Sequence, residues 1–255
     1  MNKNAYYPQN MPIPKIHKYN TLSSTNSEMQ KLQSVERLSE FSVVITSNQT
    51  SGRGQQGNFW ESEDGKNLTF SIILYPKFIH AQYQFNLNIF ITVALTDVLK
   101  KYIPNIKIKW TNDIYSGDNK LVGILIENSI IGGNIDYSIV GIGLNVNQIN
   151  FISSAPNPVS MKQLTNKEFE LEPLLQEILN AIILRYIQCV EEGIENIRKE
   201  YLNNLYRKDG FYNYKDRNGC FSAKIEKIDE IGYLYLVDSY GKTRSYAFKE
   251  VNFVI

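Results

Sequence analysis

Residues 121–146 read LVGILIENSIIGGNIDYSIVGIGLNV, two apolar runs separated by Gly132, Gly133 and Asn134. The runs are rich in β-branched residues, which favour strands, and a Gly-Gly-Asn cluster between two such runs is typical of a tight turn. The stretch therefore predicts an antiparallel hairpin whose strands cover residues 121–130 and 135–146.

Further strands and helices are predicted around this hairpin. Strand patterns occupy residues 41–47 (FSVVITS), 67–75 (NLTFSIILY) and 106–110, and residues 15–22 are extended. Helical spacing predicts a helix over residues 25–38 capped by Ser24 or Thr25, one of about 20 residues from residue 85, one over 171–192 and another to residue 205. The result is an α+β fold with a mixed, mainly antiparallel sheet. Beyond residue 209, short strands at 223–225, 233–236 and 245–248 predict a small β-barrel.

The composition excludes several classes of protein. The 255 residues carry 27 Lys and Arg against 26 Asp and Glu, so no strong overall field attracts nucleic acid or an anionic membrane. No apolar run reaches the roughly 18 residues of a membrane span, and the N-terminus lacks a signal-peptide pattern. Cys189 and Cys220 are isolated, without zinc-ligand spacing, and are predicted to be reduced thiols. We therefore expect a cytoplasmic protein with no specific nucleic-acid partner and no membrane partner.

A glycine-rich loop follows the strand at residues 41–47. Residues 47–60 read SNQTSGRGQQGNFW, with Gly52, Gly54 and Gly57 around Arg53. Three glycines within six residues allow the backbone to approach a ligand closely. The Gly-x-Gly-x-x-Gly pattern does not indicate a dinucleotide fold, because the residues after it open no helix.

Four stretches occur in a particular order: SSTN at 23–26, the loop at 49–60, KWTND at 109–113 with KLVG at 120–123, and GIGLNVN at 141–147. In this order they resemble the biotin protein ligases, whose signature is an arginine-bearing glycine loop followed by Lys-Trp-x-Asn-Asp. The resemblance covers nearly the whole chain from about Lys15. It implies a class II synthetase-like catalytic domain over residues 1–206 and an SH3-like domain over 207–255. We expect the single-function type, without the N-terminal helix-turn-helix of the relatives that repress transcription.

The resemblance implies an ATP-dependent ligase. Biotin would be activated as biotinyl-5′-AMP and transferred to a lysine of a biotin carboxyl carrier domain, with Mg²⁺ assisting ATP. Two anions must meet in the first step, so fixed positive charge is required, and Lys109 and Arg53 are the expected catalytic residues. No covalent enzyme intermediate is needed, so neither cysteine is expected to act. A monomer and a homodimer both remain open.

The resemblance also implies a set of binding residues. Neutral polar side chains suit the ureido ring of biotin. The biotin site is expected to comprise Ser24, Thr25, Asn26, Gln49, Arg53, Gly54, Gln55, Trp60, Lys109 and Gly123. The nucleotide site is expected to comprise Gly52, Gly57, Asn112, Lys120 and Asn145, and Asp113 is the candidate Mg²⁺ ligand. Simple helix capping by Ser24 and Thr25, a core role for Trp60 and a solvated Lys120 are the alternative interpretations.

Two other functions remain possible from the sequence. A lipoate–protein ligase shares the fold and the chemistry, although Gln49 and the SSTN segment favour biotin. A non-catalytic biotin-binding regulatory protein would not need Lys109 and Arg53. The chain also departs from the family pattern at Gln55 and Gln56, where many members carry arginine.

Overall fold

The computed structural model of the protein describes residues 12–55, 58–152 and 157–255. Within these residues, two sheets and five α-helices are present, and the predicted α+β class is confirmed. In chain order the elements are β1 (Ile16–Leu22), α1 (Thr25–Val35), β2 (Val43–Gln49), β3 (Leu68–Leu74), α2 (Phe85–Leu99), β4 (Ile106–Lys109), β5 (Asp113–Ser116), β6 (Asn119–Ile131), β7 (Asn134–Leu144), α3 (Met161–Thr165), α4 (Leu171–Glu192), α5 (Glu195–Asn203), β8 (Tyr212–Asp216), β9 (Gly219–Ile228), β10 (Leu234–Asp238), β11 (Thr243–Tyr246) and β12 (Asn252–Phe253).

The larger sheet has seven strands in the order β1-β2-β3-β7-β6-β5-β4. Strands β1 and β2 are parallel, and all other neighbours in this sheet are antiparallel, as predicted for a mixed, mainly antiparallel sheet. The hairpin at residues 121–146 forms β6 and β7, with β7 between β3 and β6. The register places Gly123 opposite Gly143 and Leu125 opposite Gly141.

Helices cover both faces of this sheet. Helix α2 packs against α4, α5, β4 and β5 and is buried along almost its whole length. On the opposite face, Met29 of α1 packs with Val44, Ile73 and Ile139. Because side chains alternate between the faces of a strand, Gly141 and Gly143 lie on the same face of β7 as Ile139. Because these two glycines have no side chains, a cavity is left on this face of the sheet next to α1.

Two predicted helices are shorter than expected. Helix α2 has 15 residues and ends at Leu99, after which the N–H groups of Lys101 and Tyr102 donate to carbonyls three residues back instead of four. Helix α1 ends at Val35 instead of residue 38. Ser24 occupies its N-cap position but makes no capping hydrogen bond with its side chain. The short helix α3 was not predicted.

The C-terminal strands form a five-stranded antiparallel sheet in the order β11-β10-β9-β8-β12, in agreement with the predicted SH3-like segment. Strands β8 and β12 were not predicted, because β8 carries mostly polar exposed residues and β12 has only two residues. The domain boundary between residues 206 and 207 stays a prediction. Among the described helices, none has the length and apolar character needed to span a membrane.

Candidate active site

A cleft of about 410 Å³ opens where Gly141 and Gly143 leave the face of β7 uncovered. Its walls are the start of α1, the glycine loop, the segment from Lys109 to Asp113 and residues 248–253 of the C-terminal sheet. Thirteen of the predicted site residues line it together: Ser24, Thr25, Asn26, Gln49, Arg53, Gly54, Gln55, Trp60, Lys109, Asn112, Asp113, Lys120 and Gly123. The structure therefore gathers residues from distant parts of the sequence around one cavity.

The floor of the cleft is made by the facing glycines Gly123 and Gly143. The indole of Trp60 lies against both, and a β-carbon at position 123 would stand 2.7 Å from Cζ3 of the ring. Such a distance is shorter than real Cβ contacts, so any side chain at position 123 would displace the ring. Trp60 consequently lines the cleft and packs on the sheet at the same time.

A continuous chain of neutral hydrogen bonds runs along one wall. The backbone N–H of Thr25 donates to Gln49 Oε1 over 2.9 Å, and the Thr25 hydroxyl lies 3.3 Å from the same oxygen. Ser71 Oγ lies 2.8 Å from the Thr25 hydroxyl and 2.6 Å from Asn26 Oδ1. Asn26 fits here because Gly141 has no side chain. This wall offers fixed donors and acceptors without net charge.

Arg53 does not stand free in the cleft. Its guanidinium pairs with the Glu127 carboxylate over 2.9 Å, and Asn26 Nδ2 donates to the same oxygen over 2.7 Å. The pair is partly exposed, so its contribution to stability is small, about 0–1 kcal/mol. Glu127 therefore competes with any anionic ligand for Arg53.

Lys109 stands at the end of β4, beside the chain reversal into β5. Its Nζ donates to Tyr115 Oη over 3.0 Å and lies 4.5 Å from the centroid of the Tyr115 ring and 5.4 Å from that of Phe253. The pKa of the Lys109 ammonium is lowered to about 8, mainly by burial and also by Lys120 and Arg207, while Asp113 and Asp118 act in the opposite direction. Burial also raises the pKa of Tyr115 well above its usual value.

The contacts of Asn112 and Asp113 bear on the predicted Mg²⁺ site. Asp113 pairs with Lys120 over 2.8 Å, so a cation at this carboxylate would stand beside an ammonium group. The Asn112 amide donates to the Ile124 carbonyl over 2.6 Å and accepts from the Thr111 hydroxyl over 2.8 Å. No group of three or more His, Cys, Asp or Glu suited to a metal occurs in the described ranges. Metal ligation by Asp113 stays a prediction that these contacts do not support.

Within the described part of the chain, the predicted residues Gly52 and Asn145 are not among those lining the cleft. The backbone carbonyl of Gly52 accepts a hydrogen bond from the backbone N–H of Trp60 over 2.9 Å, so Gly52 shapes the loop instead of lining the cleft. Asn145 is buried, and its side chain donates to the Val159 carbonyl over 3.2 Å. Gly57 lies outside the described residues, as does Gln56. The roles of Gly52 and Asn145 in nucleotide binding stay predictions.

Several site residues were not assigned from the sequence. They are Ser71, Tyr115, Glu127, Gly141, Gly143 and the C-terminal residues Phe248, Lys249, Val251, Asn252 and Phe253. Two signals were available in the sequence: Ser71 is a polar residue within a buried apolar run, and Gly141 and Gly143 interrupt a strand. Nothing local marks the C-terminal residues, because only the packing of the two sheets brings them to the cleft.

Comparisons with known proteins identify relatives of this chain. The model of the biotin/lipoate A/B protein ligase family matches residues 19–145. The bifunctional ligase/repressor BirA of Bacillus subtilis is 28% identical over 239 residues, which cover 90% of this chain and 71% of that protein. The biotin–[acetyl-CoA-carboxylase] ligase of Paracoccus denitrificans is 29% identical over 226 residues, 84% of this chain and 90% of that protein.

A solved structure shares the whole architecture. The biotin protein ligase from Aquifex aeolicus, determined in complex with biotin and ATP, superposes with a TM-score of 0.78 over 94% of this chain and 98% of that chain, at 22% identity. At this identity the likeness concerns the fold. The matching family model and the relatives named as biotin ligases show that the chain is a member of the biotin/lipoate A/B protein ligase family, of the biotin protein ligase type.

Proposed function

We propose that the protein activates biotin with ATP as biotinyl-5′-AMP and transfers the biotinyl group to a lysine of a biotin carboxyl carrier domain. The observation that carries this proposal is one cleft that combines a neutral polar wall, from Gln49 through Thr25 to Asn26, with the partly buried ammonium of Lys109. The wall suits an uncharged ureido ring, and the ammonium suits the meeting of two anions.

In the first step, a carboxylate oxygen of biotin attacks the α-phosphorus of ATP. The bond from the α-phosphorus to the bridging oxygen of the β-phosphate breaks, and pyrophosphate leaves with the electron pair. Lys109 stabilises the negative charge that gathers on the carboxylate and the α-phosphate, because its charge acts in a partly dry cleft. Trp60 covers the glycine floor and excludes water from the anhydride.

In the second step, the ε-amine of the carrier lysine attacks the acyl carbon of the mixed anhydride. AMP leaves with the electron pair, and the amine loses a proton as the amide forms. The chain supplies orientation in this step, and neither Cys189 nor Cys220 lines the cleft. Arg53 contacts the adenylate only after its ion pair with Glu127 is broken.

The test is direct: incubate the protein with radiolabelled biotin, MgATP and a purified carrier domain, and follow label on the carrier. We expect labelling that requires ATP and that is lost when the acceptor lysine is replaced by arginine. Absence of label, with normal folding and an active positive-control ligase, would reject the proposal. Biotin binding without pyrophosphate release would favour the non-catalytic regulatory protein.

A lipoate ligase is distinguished by the polar wall. An apolar dithiolane ring would leave buried donors and acceptors of this wall unpaired, at a cost of about 1–3 kcal/mol for each group. We therefore expect pyrophosphate release with biotin and little with lipoate under the same conditions. Equal release with both acids would contradict the assignment of the polar wall.

A further inference from the structure

Lys109 is held between aromatic rings from two different sheets. Tyr115 belongs to β5 of the larger sheet, and Phe253 belongs to β12 of the C-terminal sheet. The Lys109 ammonium lies 4.5 Å and 5.4 Å from the two ring centroids, within the range of cation–π attraction. The Tyr115 hydroxyl adds a hydrogen bond of 3.0 Å.

The rings themselves are fixed by further aromatic packing. Tyr115 is fully buried and contacts the ring of Tyr206 at 5.5 Å between centroids. Tyr206 contacts Phe253 at 6.1 Å, and Tyr214 meets Phe253 edge-on at 5.0 Å. The positions of Tyr115 and Phe253 are therefore set by the packing of the two sheets against each other.

We propose that Tyr115 and Phe253 form an aromatic clamp that positions the Lys109 amine in the cleft, and that the C-terminal sheet thereby completes the active site. The clamp consists of these two residues, which act through Lys109 as positioning residues. The role of the clamp in adenylate formation rests on the proposed function, whereas the clamp itself can be tested without it.

The hydroxyl of Tyr115 suits this role in both states of the amine. A charged Lys109 donates to the phenol oxygen, and a neutral Lys109 can accept the phenol proton. The charged groups that face Lys109 are Asp113 and Asp118, which favour its cationic form, and Lys120 and Arg207, which oppose it. Burial is the largest cause and, with Lys120 and Arg207, outweighs the two carboxylates, so the pKa of Lys109 is lowered to about 8 and its titration can be followed under ordinary conditions.

The first experiment measures the amine directly. The rate of acetylation of Lys109 by acetic anhydride is followed by peptide mass spectrometry across a pH series, which gives its apparent pKa. Tyr115→Phe keeps the ring and burial but removes the acceptor of the ammonium, so we expect the apparent pKa to fall. Tyr214→Phe is the matched control, because it removes a buried hydroxyl that has no hydrogen-bond partner.

The second clamp variant, Phe253→Ala, is expected to shift the apparent pKa of Lys109 in the opposite direction. Phe253→Ala opens the clamp to water and weakens burial, the largest cause of the shift, so we expect the apparent pKa of Lys109 to rise towards its ordinary value. Phe221→Ala is the control, since Phe221 belongs to the same sheet and stacks on Tyr214 and Tyr246 rather than on Lys109. Opposite shifts in the two clamp variants, with no shift in the controls, support the clamp.

Activity provides the second readout. For Tyr115→Phe we expect kcat of biotinyl-AMP formation to fall about tenfold or more with the KM for biotin within about twofold, since the interaction lost is one with a charged group. Thermal unfolding of each variant checks its fold. If Tyr115→Phe is unfolded, the comparison of Phe253→Ala with its control Phe221→Ala tests the clamp.

Clamp variants that match their controls in apparent pKa would overturn the proposal, even in an active ligase. A wild-type protein that forms no adenylate would reject the proposed function, and the acetylation titration would still decide on the clamp.

Discussion

Trp60 and Gly143 are in direct contact across the cleft, with the pyrrole side of the indole lying where a side chain at position 143 would stand. Gly123, its partner on the neighbouring strand, faces the six-membered side of the same ring. Gly123 and Gly143 thus leave a space that holds the indole of Trp60, the tryptophan seat. The seat fixes the end of the glycine loop that begins after β2.

Gly143→Ala should disturb this seat. The new methyl group would overlap the indole, so we expect a loss of about 1–3 kcal/mol in the free energy of unfolding, typical of overpacking, together with weaker biotin binding. Urea denaturation and calorimetry with biotin measure the two effects.

The control is a double-mutant cycle with Trp60→Ala. If the overlap with Trp60 causes the loss, the alanine at position 143 should cost little in the absence of the indole, and the two changes should be strongly non-additive. Strict additivity would show that Gly143 is required for another reason, such as its backbone conformation.

Lys109→Gln should separate binding from chemistry. The variant keeps a polar side chain, one bond shorter than lysine, but loses the charge needed where two anions meet. We expect biotin affinity within about threefold of the wild type and a fall in adenylate formation of about 100-fold or more. Calorimetry and pyrophosphate release provide the comparison. Normal turnover would remove Lys109 from the mechanism.

The pH dependence of adenylate formation should follow the same lysine. Burial lowers the pKa of Lys109 to about 8, so the required ammonium is present below that pH and is lost as the pH rises through it. The rate should therefore decline above about pH 8, well before an ordinary lysine would titrate at about pH 10.4. Lys109→Arg retains its charge throughout this range, and any activity that it keeps should not decline there. Parallel profiles for lysine and arginine would assign the decline to another group.

The sequence predicted the centre of the sheet well because its strands are long and rich in β-branched residues, with strong turn residues between them. It predicted most of the cleft for a different reason. Ser24 to Asn26, Arg53 and Lys109 to Asp113 lie in compact motifs that resemble those of one family.

The remaining parts of the site depend on tertiary contacts. Glu127 occupies a strand position that reads as an ordinary exposed carboxylate, and only the fold brings it to Arg53, 74 residues away along the chain. Phe253 belongs to a strand of two residues, too short for any periodic pattern. Local sequence patterns carry no information on such pairings, because the sheets that create them form from distant segments.

Glu127→Gln should release Arg53 for the ligand. The amide can still accept the hydrogen bond from Asn26, while the charge that neutralises Arg53 is gone. Because the ion pair is partly exposed, stability should change by less than about 1 kcal/mol. We expect slower dissociation of biotinyl-AMP, measured with labelled ligand and an excess of unlabelled ligand. Glu127→Ala also removes the acceptor of the Asn26 hydrogen bond and should weaken biotin binding. Equal dissociation rates for wild type and Glu127→Gln would show that the Glu127 carboxylate does not compete with the ligand for Arg53.

Gln55 is the position at which the glycine loop meets the C-terminal sheet. Its carbonyl oxygen accepts from Lys249 Nζ over 3.1 Å, a contact with the backbone that any side chain at position 55 preserves. Gln55 also lines the cleft, and its amide brings no charge to an anionic adenylate. The side chain can therefore be changed without removing the contact between the loop and Lys249.

Gln55→Arg should slow the release of biotinyl-AMP and leave biotin affinity nearly unchanged. Hydrogen bonds to charged groups contribute about 1.5–3 kcal/mol against about 1 kcal/mol for neutral pairs, so the dissociation rate should fall about threefold or more. Gln55→Glu, of nearly the same size, should accelerate release because it repels the phosphate. The off-rate of labelled biotinyl-AMP is measured for both variants at low and high salt, and the difference between them should shrink as salt screens the charge. Equal off-rates for Arg and Glu at position 55 would mean that this side chain does not face the phosphate, and that retention depends on Arg53, Lys109 and the backbone of the loop.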